Sequence, residues 1–192
     1  MSILILGLLI FLGVHSVRIV AEVWRKARIA QMGEKGWKGA YSIASIVGLA
    51  LVIWGYGIAR HEPHVLWTRP VWAPHLAGLL TLAAFILFAA AYVPGNHFKA
   101  WVRHPMALSV TLWALAHLLA NGTLHAVVLF GAFLVWGLVD FAAARRRDRV
   151  EGVIYPGGSL SRDVIPVVMG AVAWGAFAFY LHARWIGVSP MG

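Results

Sequence analysis

Residues 2–20 read SILILGLLIFLGVHSVRIV, and this stretch decides the fold class. A helix rises about 1.5 Å per residue, so a run of this length spans a bilayer core of about 30 Å. After Ser2 its polar exceptions are few and late: His15, Ser16 and Arg18. Five more apolar stretches follow, near 40–59, 73–93, 105–121, 123–144 and 163–186. The fourth is short, and Asn121-Gly122 separates it from the fifth, which predicts a tight helical hairpin. The expectation is an all-α, polytopic membrane bundle of six transmembrane helices, forming one domain over 1–192.

Composition supports this reading. Of 192 residues, 61% are hydrophobic and 12% charged, against about 25% charged in an average soluble domain. So few charges cannot cover a water-facing surface of this size. With no cysteine, disulfides, thiolate-held zinc, iron–sulfur clusters and covalently attached haem are excluded. Any metal or haem must be held by His, Met, Tyr or a carboxylate.

The net charge of +9 reads as membrane orientation and attraction to anionic lipid rather than nucleic-acid binding. Thirteen of the sixteen Lys and Arg fall on one side of the six spans. Arg60, Arg69 and Arg184 fall on the other. By the positive-inside rule both termini lie outside, and the chain is expected in a bacterial cytoplasmic membrane. No positive residue precedes the first apolar run, so it is expected to stay as a helix rather than be cleaved. Segment 21–39, basic and carrying Trp24, is expected to lie along the inner surface. Ala44-x-x-x-Gly48 and Ala171-x-x-x-Gly175 are candidate sites of close helix approach.

Polar side chains are costly in lipid, so the histidines within the spans call for partners. His15 lies five residues before Val20, roughly 7–8 Å above the inner end of its helix. Arg18, three residues on, shares its face. The plain alternative is a hydrogen bond from His15 to a neighbouring helix's carbonyl, with Arg18 reaching lipid phosphate. Arg103-His104-Pro105 opens the fourth span. Proline suits a first helical turn and pushes the preceding residue out of helix geometry, which sets His104 at a helix N-terminus. There the plain alternative is a surface turn, with Arg103 on lipid phosphate.

Depth separates the histidines. His15 and His104 map to the inner half, and His117 lies roughly 20 Å further along the helix of His104. If two of them share one iron, His15 with His104 is the easier pair, with Arg18 and Arg103 facing haem propionates. His117 and Asn121, four apart, share a helix face near the outer end, as an interhelical hydrogen-bond pair or as a cofactor or substrate contact. His61, His64, His125 and His182 also map outward, where a second metal is a weaker reading.

The chain resembles the NnrU family, bacterial membrane proteins linked to nitrite and nitric oxide metabolism in denitrification. The resemblance rests on Leu12–Arg18, Gly33–Gly39, Ile53–Gly57, Arg103-His104-Pro105 and Leu112–Gly122, and it covers most of residues 5–145. That family is similar in turn to 15-cis-zeta-carotene isomerase. The resemblance implies haem b with two histidine ligands, at His15 and His104, and isomerase-like haem chemistry or the handling of a small hydrophobic or gaseous ligand. Arg-His-Pro also resembles the cofactor motif of isoprenylcysteine carboxyl methyltransferase, which implies S-adenosylmethionine-dependent methyl transfer as an alternative. Here Met106-Ala107 follows the proline in place of that enzyme's Tyr and Gly. A membrane scaffold without turnover is the third reading.

Overall fold

The computed structural model describes residues 1–190. The described residues form α1 (Ser2–Val20), α2 (Glu22–Ala59), α3 (Ala73–Tyr92), a short α4 (His97–Val102), α5 (Pro105–Ala120), α6 (Leu124–Glu151) and α7 (Leu160–Ala176). A π-helical turn, Phe177–Leu181, then leads into α8 (His182–Ile186). Five of these stretches are long and apolar enough to cross a membrane, and α5 is a shorter apolar helix. All six expected spans are therefore helices, and the fourth is the short one. The protein is an all-α, multi-pass membrane protein.

The chain divides into two compact units, Met1–Leu66 with Thr123–Ala132, and Trp67–Gly122 with Phe133–Gly192. Helix α6 contributes to both. In the first unit α1 packs along α2. Glycines allow the approach: a Cβ on Gly48 would stand 2.7 Å from the Phe11 backbone nitrogen, and one on Gly7 2.5 Å from that of Val52. Gly48 belongs to the expected small-residue motif, and this is what it does. Segment 21–39 is helical but interrupted at Gly33, whose φ of 75° breaks α2 into two helices. Glycine adopts this angle without the steric cost of a Cβ. The part of the basic stretch before Gly33 is thus a separate helical piece and the rest continues into the following span, with Trp24 and Trp37 edge to face across the break at 5.8 Å.

In the second unit α3 packs against α5 and α7. Its buried apolar residues are largely alanines: Ala73, Ala77, Ala84, Ala90, Ala107, Ala114 and Ala116. The large aliphatics Leu79, Leu138 and Val172 are exposed. This inversion of the soluble pattern is what lipid requires. Tails are as apolar as leucine, so small residues that bring backbones together drive the packing. The close approach of α7 lies at Gly170, where a Cβ would meet the Ile86 Cα at 2.6 Å, whereas Gly175 faces open space. The motif expected at Ala171–Gly175 is therefore displaced by five residues. At the α5–α6 turn the Trp67 N–H donates to the Gly122 carbonyl at 3.2 Å. A side chain on Gly122 would collide with the Trp67 carbonyl.

Candidate functional site

Arg103-His104-Pro105 forms the turn between α4 and α5. Pro105 is buried and starts α5. Arg103 takes a positive φ of 67°, the only non-glycine among the described residues to do so. Such a conformation costs about 1–3 kcal/mol and persists only where the surroundings enforce it. Here the Arg103 N–H donates to the Lys99 carbonyl and the His104 N–H to that of Val102, both at 2.8 Å. The chain reverses sharply, and His104 takes the N-cap position of α5, as the proline rule predicts, without its side chain capping the helix.

The imidazole of His104 has a partner that its local sequence does not announce. Its Nε2 donates to Oδ2 of Asp148 at 2.8 Å. Asp148 lies in the last turns of α6 and is buried. The same carboxylate accepts the Tyr155 hydroxyl, and burial together with this bond raises the Tyr155 ionisation above its ordinary value. The Arg103 guanidinium lies 5.8 Å from the Tyr155 ring centre. With Nε2 protonated, the His104 lone pair resides on Nδ1. An imidazole held by a carboxylate in a fixed tautomer is the usual arrangement of a metal-binding histidine.

A second histidine–carboxylate pair stands in the same unit. Asp163 accepts from His97 twice, from the backbone N–H and from Nδ1, each at 2.7 Å. Asn96 caps α4 by accepting from the Lys99 N–H at 2.7 Å, and its amide donates to the Ala90 carbonyl at 2.9 Å. Gly158 lies against the backbone of Asn96 and His97, and the Ser159 N–H donates to the Gly95 carbonyl at 3.0 Å. The loop before α7 is thereby tied to the start of α4.

His15 belongs to the first unit. Its Nδ1 donates to the Phe11 carbonyl at 2.6 Å, one turn back on its own helix. The rings of Phe11 and Tyr41 stand 4.3 and 5.2 Å away. With the proton on Nδ1, the lone pair resides on Nε2. Arg18 is exposed in the last turn of α1.

His117 lines a cavity in the second unit together with Asn121 and His182. Its Nδ1 donates to the Trp113 carbonyl at 2.8 Å. The Asn121 amide donates to the His117 carbonyl at 2.8 Å, so these two expected residues are joined within their own helix. His61 and His64 are exposed. His125 shares a 3.1 Å hydrogen bond with Thr123. Among the described residues no three His, Cys, Asp or Glu side chains gather to hold an ion.

The sequence reading missed Asp148, Tyr155 and Asp163 as partners of histidines. Asp148 sits inside an Arg-rich run, where pairing with a neighbouring arginine is the ordinary expectation. The one available signal was that few acidic residues, seven in all, serve nine histidines in a mostly apolar chain.

These features define a polytopic helical membrane protein whose short span begins at a carboxylate-held histidine. The chain belongs to the NnrU family: the family model described as NnrU protein matches residues 3–190. No curated protein and no solved structure matches it.

Proposed function

We propose that this NnrU-family protein binds haem b in a bacterial cytoplasmic membrane and serves nitrite and nitric oxide metabolism, with His15 and His104 as iron donors. One observation carries the reading. Each of these imidazoles donates one ring N–H to an oxygen acceptor, Phe11 O or Asp148 Oδ2, and so keeps its lone pair on the other nitrogen. The donor chemistry fits haem iron, which takes neutral imidazole. When bound, haem supplies a redox-active iron that can take a small ligand such as nitric oxide if one histidine lets go.

The chain's own residues do the positioning. Asp148 fixes the tautomer and direction of His104, and the Phe11 carbonyl does so for His15. Arg103 and Arg18 supply positive charge for propionates, one beside each donor in sequence.

The test is the absorbance spectrum of gently solubilised protein, oxidised and then dithionite-reduced. A Soret band with visible bands that sharpen on reduction is expected. His15→Ala and His104→Ala should each lose haem or change its spin state, whereas His64→Ala should not. A spectrum without a Soret band from haem-replete cells, or equal haem retention in all three variants, refutes the proposal.

A further inference from the structure

The haem reading leaves aside the cavity of the second unit, which measures about 210 Å³. Phe85, Trp113 and Phe177 give it ring walls. The hydrogens of Thr81, of the Trp174 indole and of His182 Nδ1 are committed to protein acceptors. The Thr81 hydroxyl donates to the Ala77 carbonyl at 2.8 Å and accepts the Trp174 indole N–H at 3.0 Å. The Asn121 amide donates one N–H to the His117 carbonyl at 2.8 Å, which leaves its carboxamide oxygen as an acceptor and its second N–H as a donor. Nδ1 of His182 donates to the Val188 carbonyl at 2.6 Å, so in the neutral imidazole Nε2 holds the lone pair and accepts. Arg69 and Ser189 also border the cavity but are exposed, where water or headgroups can satisfy them.

The backbone is built to deliver His182. The π-helical turn Phe177–Leu181 immediately precedes it. One inserted residue rotates everything after it by about 100° around the helix axis. Phe177, Ala178 and His182 all line the cavity. Just beyond α8, Gly187 takes a φ of 78° and turns the chain back, and the Val188 carbonyl fixes the imidazole. Two departures from regular helix thus aim and lock one acceptor in a ring-walled chamber of a membrane helix bundle.

A ligand matched to this chamber has a flat ring and hydroxyl donors, and reaches it from lipid. We propose that the cavity binds the ring of a membrane-dissolved phenol or quinol through O–H donation to Nε2 of His182, with the Asn121 carboxamide oxygen as a second acceptor. The same bond inventory disfavours the oxidised quinone. Its carbonyl would face the His182 lone pair, acceptor against acceptor, and forfeit that bond, with the second Asn121 N–H as the donor left to it.

Tetramethylhydroquinone and tetramethylbenzoquinone test this, titrated calorimetrically into the purified full-length protein in detergent. The expected result is saturable binding of the hydroquinone, at least about tenfold tighter than that of the quinone, the equivalent of one hydrogen bond. This comparison needs no variant. His182→Phe, which keeps the ring bulk and removes the acceptor, should lose about tenfold for the hydroquinone and little for the quinone. His61→Phe should change neither. Equal affinities, a preference for the quinone, no saturable binding, or unchanged hydroquinone binding in a folded His182→Phe protein would each overturn the proposal. A protein without haem leaves it standing, because no part of the argument uses iron.

Discussion

Asp148 is the position at which the site can be probed most sharply. Replacing it with alanine removes the acceptor of both the His104 imidazole at 2.8 Å and the Tyr155 hydroxyl. A hydrogen bond to a charged acceptor contributes about 1.5–3 kcal/mol net, and a neutral one about 1 kcal/mol. The His104 side chain retains 22% of its exposure and that of Asp148 9%, so water recovers only a small part of the loss. The expected destabilisation is about 2 kcal/mol, at the lower end because Tyr155 lies in a loop and can turn outward. Asp148→Asn separates geometry from charge. Its carboxamide oxygen can still accept from Nε2, so stability should fall by less than half as much as with alanine. Thermal unfolding followed by circular dichroism in one detergent gives these differences. Haem retention gives an independent readout: losing a residue that orients a metal ligand costs about 10–100-fold in affinity. In haem retention, His104→Ala combined with Asp148→Ala should be scarcely worse than His104→Ala alone, because Asp148 supports haem only through His104. Additive losses, or an Asp148→Ala protein as stable as the unaltered one, would refute the claim that Asp148 acts through His104.

Three further outcomes test the fold around this site. Gly170→Ala should destabilise by about 1–3 kcal/mol, because its Cβ would lie 2.6 Å from the Ile86 Cα. Gly175→Ala, with open space around it, should be neutral or gain a few tenths of a kcal/mol from helix propensity; equal effects in thermal unfolding would contradict this assignment. Arg103→Gly should unfold at a higher temperature than Arg103→Ala by the equivalent of about 1 kcal/mol, because both lose the guanidinium but only glycine relieves the positive φ. Tyr155 adds a pH effect: its ionisation is raised by burial and by Asp148, so folding favours its protonated form. That stabilisation is fully present below the unfolded phenol's pKa of about 10 and is lost as pH rises through the folded value. Tyr155→Phe should accordingly flatten the alkaline limb of the stability curve; an unchanged limb would show that Tyr155 does not contribute.

The division between what was legible and what was not follows from the range of the interactions. Membrane class, the six helices, the short fourth span, the Gly48 contact and the position of His104 at the start of α5 were all fixed by the chain itself. They depend on the apolar length that lipid demands and on what proline does to its immediate neighbour, and both are local. The close approach at Gly170 rather than Gly175, the pairing of His104 with Asp148 and of His97 with Asp163, and the cavity that receives His182 belong to the tertiary structure alone. Asp148 is 44 residues from His104 and Asp163 is 66 from His97, and no periodicity links positions on helices whose rotation is set by packing. A π-helical insertion adds a residue to a turn without any marker in the amino acids that form it. Which ring nitrogen holds a proton is likewise decided by the oxygen that folding brings beside it.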